Sequence, residues 1–259
     1  MKKEKLPNKK KRRALILRLP LPFKLLILGL LLLFTNLVFQ FYKKPAEIIG
    51  LFDVWFHKTP FETWTAYSSE FKDKSTNILT PDLLAALAQI ESNGNPIART
   101  YWKWRATKDL GRLFSPASSA AGMYQITDGT FNEAKDFCIE DQRAIRNRVN
   151  GECFGNIFYS RLIPSHAIEM TAARLHYYTR EILGRMANTL DRPSQQAVAI
   201  SIHLCGVERA RVLTRNHSTY NKSVTCGDHN LRRYIEKVRH LQRQFVAIAK
   251  KFETESIVR

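Results

Sequence analysis

The sequence predicts a mostly α-helical domain carried behind one apolar N-terminal helix. Three observations lead there: an uncharged run from Leu25 to Phe41, apolar stripes at three- and four-residue spacing in 81–92 and 231–248, and the lack of strand-length alternation of β-branched residues. At 259 residues the chain has room for one domain of ordinary size and further segments.

Residues 1–22 read as a basic cytoplasmic tail. The first 44 residues hold twelve Lys or Arg against one acid, Glu4, so +11 of the formal +18 lies there and +7 is left for the remainder. Residues 23–42 read as a transmembrane signal anchor. Within Leu25–Phe41 the only polar side chains are Thr35, Asn36 and Gln40, while Phe23 and Tyr42 extend the run and Lys24 can snorkel to headgroups. The positive-inside rule keeps the tail in the cytoplasm and sends everything after Tyr42 outward. No small-x-small pattern follows the run, which argues against cleavage, and no cysteine follows it for lipid attachment.

All four cysteines, Cys138, Cys153, Cys205 and Cys226, come after the anchor, an even number that suits an exported, oxidising compartment. Of three possible connectivities, the sequence-local pairs Cys138 with Cys153 and Cys205 with Cys226 are favoured. Each would close a short loop worth about 3 kcal/mol. A zinc set of His203, Cys205, Cys226 and His229 has acceptable spacing, but the compartment and the second cysteine pair speak against any metal.

Residues 43–77, rich in charge and aromatics, read as a partly ordered stalk with too many aromatics for a flexible linker, some of them packing on the domain or resting at the membrane surface, and 78–252 as the domain. Its expected helices run over 81–92, 129–137, 141–149, 165–183, 194–213 and 229–252, with a small irregular or β element between 97 and 120. In the first of these, Thr80 is placed to cap, Pro81 suits the opening turn, Asp82 complements the dipole, and Asn93 or Gly94 stops the helix. Leu83, Leu84, Leu87 and Ile90 form the stripe, and Glu91 falls on it. A carboxyl there loses water and meets the negative helix end, and both effects favour the protonated acid. That is how a general acid working near neutral pH is made. The alternative is a half-exposed glutamate at the rim of the stripe.

Excess positive charge on an exported domain calls for a polyanion: nucleic acid, anionic lipid or the bacterial cell wall. Charge does not choose among them. Between 97 and 117, Tyr101, Trp102 and Trp104 stand among Arg99, Lys103 and Arg105. Tyr101 and Trp102 are candidates to stack on sugar rings, with a local aromatic cluster as the structural alternative. Single-stranded nucleic acid would also suit such a string, but an exported domain seldom meets it, and no nucleic-acid partner is expected.

Three segments occur in an order that resembles a known family. "ALAQIESNGNP" is followed by "SSAAGMYQITDGTF" at 118–131, then by "AVAISIHLCGVERARVL" at 197–213 with "LRRYIEKV" at 231–238. Together they resemble the soluble-lytic-transglycosylase-like domains, lysozyme-superfamily enzymes that cut bacterial peptidoglycan, over roughly residues 78–250. The resemblance implies a lysozyme-like fold, no cofactor, and Glu91 as the catalytic acid and base. It also implies a groove for glycan strands formed by Ser119, Met123, Tyr124 and Gln125 from the second segment and Tyr234 from the last. An inner-membrane, single-pass protein with a periplasmic domain follows for a Gram-negative bacterium. A cell-envelope-spanning secretion or conjugation machine is an open partner.

Two departures stand out. Where the family usually has Ala-Tyr-Asn-Ala-Gly, this chain has Ile202, His203, Leu204, Cys205 and Gly206, so His203 occupies the position of a tyrosine thought to hold the catalytic carboxyl. Where the family has Glu-Thr-x-x-Tyr-Val, the chain keeps only Tyr234 and the apolar Ile235. His203 could donate the missing hydrogen bond or be an ordinary helix-face histidine. A cationic His beside Glu91 would lower its pKa, against the effect of burial. Competing functions are a muramidase that hydrolyses the same bond and an inactive glycan-binding scaffold.

Overall fold

The structure, a computed structural model, describes residues 20–43, 56–100, 102–104, 114–116, 118–146, 153, 156, 158–215 and 224–257. Most of the basic tail, the first part of the expected stalk and Tyr101 fall outside those residues. Eight α-helices and three two-stranded antiparallel ribbons make up the described chain, which is mostly helical, as a lysozyme-like fold requires.

The first helix, α1 (Leu21–Lys43), runs for 23 residues. Its side chains are described from 21 to 35 and at Val38, and each leucine and phenylalanine among them is more than half exposed. The Thr35 hydroxyl is satisfied inside the helix, donating to the Leu31 carbonyl at 2.8 Å. Among the described residues no helix is long and apolar enough to cross a membrane.

The packed domain begins earlier than the sequence reading placed it. Residues 60–73 form helix α2 (Pro60–Asp73), opened by a reciprocal capping box between Thr59 and Glu62. Trp64, Tyr67 and Phe71 are buried, three and four residues apart on one face. This part of the expected stalk is therefore core, and the spacing of its aromatics was the available signal.

Helix α3 (Pro81–Ser92) has the expected bounds, and Asn93 and Gly94 close it at positive φ, 52° and 66°. It is not amphipathic: residues 83 to 88 are all fully buried, because Ala85, Ala86 and Ala88 let α2 and the last helix pack closely on its second face. Thr80 stands at the N-cap without capping an amide. Its hydroxyl donates to Asp82 and accepts from Gln196, each partner being closer to hand than the helix amides. The buried Gln89 accepts from Thr63 at 2.8 Å and donates to the Lys58 carbonyl at 2.9 Å, tying α2 to α3.

Strands β1 (Trp102–Trp104) and β2 (Phe114–Pro116) pair where a β element was expected. Helix α4 (Asp128–Ala134) is capped by Thr127, which accepts from the Thr130 amide. Beyond it the sequence expectation fails. Residues 143–146, read as helix, form β4 (Arg143–Arg146), which pairs with β3 (Phe137–Glu140). The turn residues Asp141 and Gln142 both have positive φ, 46° and 60°, the geometry of a tight hairpin turn, here built without the usual glycine. Cys138 is joined to Cys153, as expected.

Helix α5 (Pro164–Leu183) packs against the β3–β4 ribbon, α2 and α4. The segment expected as one helix over 194–213 is two, α6 (Arg192–Cys205) and α7 (Val207–Arg215), separated at Gly206 with φ 81° and ψ 164°. Asp191 caps α6 through the Ser194 amide. A short ribbon of β5 (Thr225–Cys226) and β6 (His229–Asn230) leads into α8 (Leu231–Ile257), whose Leu231, Ile235, Val238 and Phe245 are buried against α2, α3 and α6. The second expected disulfide, Cys205–Cys226, ties the end of α6 to this ribbon. Both cysteines of the conceivable zinc set are thereby consumed.

Candidate functional site

Three elements converge on Glu91. It sits in the last turn of α3, next to Ser92, whose hydroxyl reaches the Met123 carbonyl at 2.9 Å and the Ala88 carbonyl at 3.1 Å. That bond fastens the end of α3 to the turn at 121–126, which is closed by reciprocal Ala121–Ile126 backbone bonds. Gly122 makes the turn possible. Its φ is +79°, its amide donates to the Ala98 carbonyl at 2.9 Å, and a Cβ there would lie 2.1 Å from the Arg161 carbonyl oxygen.

The Glu91 carboxyl receives a hydrogen bond from the Tyr234 hydroxyl on α8. His203 on α6 brings its Nε2 to 3.3 Å from the same oxygen, Oε1. The substituted residue thus takes up the place beside the carboxyl that the resemblance assigned to a tyrosine. His229, on β6, adds a weaker electrostatic influence, and its ring lies 6.4 Å from that of Tyr234. The Cys205–Cys226 bond links the elements carrying the two histidines.

Burial is the largest single influence on Glu91 and pushes its pKa up. The hydrogen bond and charge of His203, the Tyr234 hydroxyl and the charge of His229 together outweigh it, so the carboxyl lies below the ordinary glutamate value. The acid raised by burial that the sequence suggested is therefore held ionised in the free protein. Tyr234 is pushed well above its usual value by burial and by the neighbouring carboxylate, so it stays a neutral donor.

A cleft of about 300 Å³ opens beside this cluster. Its lining includes Tyr124, Gln125, Thr127 and Thr130, then Thr171 and Arg174 of α5, and His203 to Gly206. Glu91 is not among its lining residues; its side chain, 19% exposed, adjoins the cleft through His203. Asp128, an acid of the second motif, is paired with Arg161 at 2.6 Å.

Other residues carried over by resemblance fare differently. Met123 and Tyr124 are 0% and 1% exposed, and the Tyr124 hydroxyl donates to the Leu84 carbonyl. Both pack in the core and support the turn, which folds inward onto α3; Tyr124 also lines the cleft, while Met123 does not. Gln125 lines the cleft with φ 48°, but its Nε2 is engaged by the Ala98 and Gly122 carbonyls, which leaves its Oε1 to face a ligand. Ser119 accepts from the Asp128 amide at the start of α4, away from Glu91. Trp102 lies on β1, though its side chain, like all of Tyr101, is outside the described set. Sequence reasoning missed Ser92, Arg161, Thr171, Arg174 and His229. Only Ser92, as the partner of Glu91 in "ES", carried a signal.

A family model described as "Transglycosylase SLT domain" matches residues 68–245. No curated protein and no solved structure matches the chain.

Proposed function

This chain belongs to the transglycosylase SLT family, whose members are peptidoglycan lytic transglycosylases of the lysozyme superfamily, and on that premise we propose that it cleaves the MurNAc–GlcNAc β-1,4 bond without water, leaving 1,6-anhydro-MurNAc ends. The observation that carries this reading is the single carboxyl of Glu91, held by Tyr234 and His203 beside a cleft whose described lining contains no Asp or Glu. Hydrolysis by the usual route requires two carboxyl groups. One suffices here: Glu91 gives its proton to the glycosidic oxygen, then takes the proton of the C6 hydroxyl as that oxygen closes on C1. The enzyme ends protonated as it began.

Glu91 must therefore hold a proton when the bond breaks. A sugar seated in the cleft excludes water and strengthens the effect of burial, which favours the protonated acid. Substrate binding thus favours the protonated state of Glu91. Tyr234 fixes the carboxyl in either state.

The same reading extends to location. We take α1, with the uncharged run Leu25–Phe41, as an inner-membrane anchor with the basic tail in the cytoplasm and the disulfide-bonded domain in the periplasm. Over its described residues α1 does not reach the length and apolarity of a bilayer-crossing helix, so the reading rests on the uncharged run of the sequence, which includes positions whose side chains lie outside the described set. The exposed leucines of α1 support that role. A secretion or conjugation apparatus that must pass the wall is the partner class such an anchored enzyme would serve.

The deciding experiment is mass spectrometry of soluble products released from purified peptidoglycan by the full chain in detergent. Anhydro-MurNAc ends support the reading. Reducing ends, one water heavier, would establish a muramidase, and binding without release would establish a glycan-binding scaffold.

A further inference from the structure

Two of the residues that line the cleft are an arginine paired through its Nε alone and a buried threonine whose hydroxyl lacks a partner among the described residues. Arg174 is 9% exposed, lines the cleft, and donates through Nε to Glu133 Oε2 at 2.7 Å. Its guanidinium lies over the Tyr178 ring at 5.3 Å, and Tyr178 in turn donates to the other Glu133 oxygen. These contacts fix the plane of the guanidinium from one side. Among the described residues neither terminal nitrogen has a hydrogen-bond partner; Arg174 lines this cleft, which Glu133 does not, and also a neighbouring cavity that Glu133 does line.

Thr171 stands one turn before Arg174 on the same face of α5 and lines the same cleft. It is 6% exposed, and its Oγ1 has no hydrogen-bond partner among the described residues. A buried hydroxyl left unpaired is costly unless something supplies the bond. A fork of guanidinium N–H donors beside a free O–H donor matches a carboxylate, which offers two acceptor oxygens and no donor.

We propose that Arg174 and Thr171 form a carboxylate-binding subsite that receives the acidic group carried on the 3-position lactyl arm of MurNAc. This rests on the glycan-cleaving reading above, and it adds a selectivity to it: the enzyme discriminates among strands by what hangs from the sugar, not by the sugar alone. The carboxylate has two sources. In strands that carry peptide, the lactyl group is a neutral amide and the charge belongs to the stem peptide; in stripped strands the lactyl carboxylate itself is free.

Binding by calorimetry, with the full chain in detergent, separates these cases. The ligands are a GlcNAc–MurNAc–peptide, the same disaccharide with the peptide removed, and neutral chitotetraose. None requires turnover, so absence of cleavage would sink the catalytic reading while leaving this test intact. Arg174→Gln is expected to weaken the acidic ligand by about ten- to a hundredfold and Thr171→Val by about threefold, with Arg174→Lys recovering part of the loss and chitotetraose unchanged. Loss confined to the peptide ligand assigns the stem peptide; loss confined to the stripped ligand assigns the lactyl group; loss on both means that the subsite accepts either. Equal weakening of chitotetraose, no weakening of any ligand, or no glycan binding by the wild type would overturn the proposal. Thr171→Val keeps the shape of the side chain, so it carries the test should Arg174→Gln unfold by stranding Glu133.

Discussion

Replacing Gly122 with alanine tests whether the turn beside Glu91 is as constrained as it looks. The new Cβ would sit 2.1 Å from the Arg161 carbonyl oxygen and 3.4 Å from that of Pro96. The first contact involves backbone, so relief requires the 161 segment to move by about 1 Å, an overpacking cost of about 1 to 3 kcal/mol. An L-residue at φ +79° adds about 1 to 2 kcal/mol. The sum, about 2 to 5 kcal/mol, corresponds to a fall in melting temperature of roughly 5 to 20 °C for a domain of this size. Arg161 also donates to the Ile126 carbonyl at 2.7 Å and pairs with Asp128, so its displacement disturbs the cleft rim and should reduce glycan cleavage as well. Thermal unfolding of the full chain in detergent, followed by near-ultraviolet circular dichroism, reads the stability. A melting temperature within about a degree of wild type would refute the reasoning.

Three further outcomes follow from the site and its surroundings. Glu91→Gln keeps the hydrogen-bonding shape but cannot exchange the proton, so release of anhydro ends should fall by at least about a hundredfold with an unchanged melting curve; wild-type-like release would remove Glu91 from the mechanism. His203→Gln takes away an influence that lowers the Glu91 pKa while burial still raises it, so the alkaline limb of kcat/KM should move to higher pH, and a shift to lower pH or none would contradict the influence assigned to His203. His176, 7% exposed and bonded to Thr76, is pushed by burial from 6.5 to about 4. The unfolded chain takes up that proton first, so stability is full above pH 6.5 and falls as pH drops toward 4, by at most about 3 kcal/mol. Urea unfolding should show this slope in wild type and a flatter one in His176→Gln; identical slopes would refute it. The lowered carboxyl of Glu91 acts in a different window, stabilising above its ordinary value and losing that contribution only as pH falls through the lowered one.

Much of the helical frame was legible because its signals are local. Pro81, Asn93 and Gly94 set the bounds of α3, and the three-four spacing of Leu231, Ile235, Val238 and Phe245 set the buried face of α8. The aromatics of α2 carried the same periodic signal, but composition suggested a stalk, and only their burial showed that they complete the core. The β3–β4 ribbon was not legible: Asp141 and Gln142 adopt positive φ without glycine, and the ribbon is held by packing on α5 and by the Cys138–Cys153 bond.

By itself the sequence determined the bounds of α3, the buried face of α8, the favoured pairing of cysteines and the candidacy of Glu91, since capping, periodicity and motif order are written in neighbouring residues. Only the tertiary structure decided what surrounds that carboxyl. His203, Tyr234 and His229 come from elements more than a hundred residues downstream, and their charges and hydrogen bonds reverse the pKa direction that burial alone would give. The same holds for Met123 and Tyr124, which the inward turn at Gly122 assigns to the core, and for Arg174 and Thr171, whose exposure to the cleft depends on how α5 packs against α4 and α6. Electrostatics and solvent access depend on distance in space, and the chain fixes that distance only when it folds.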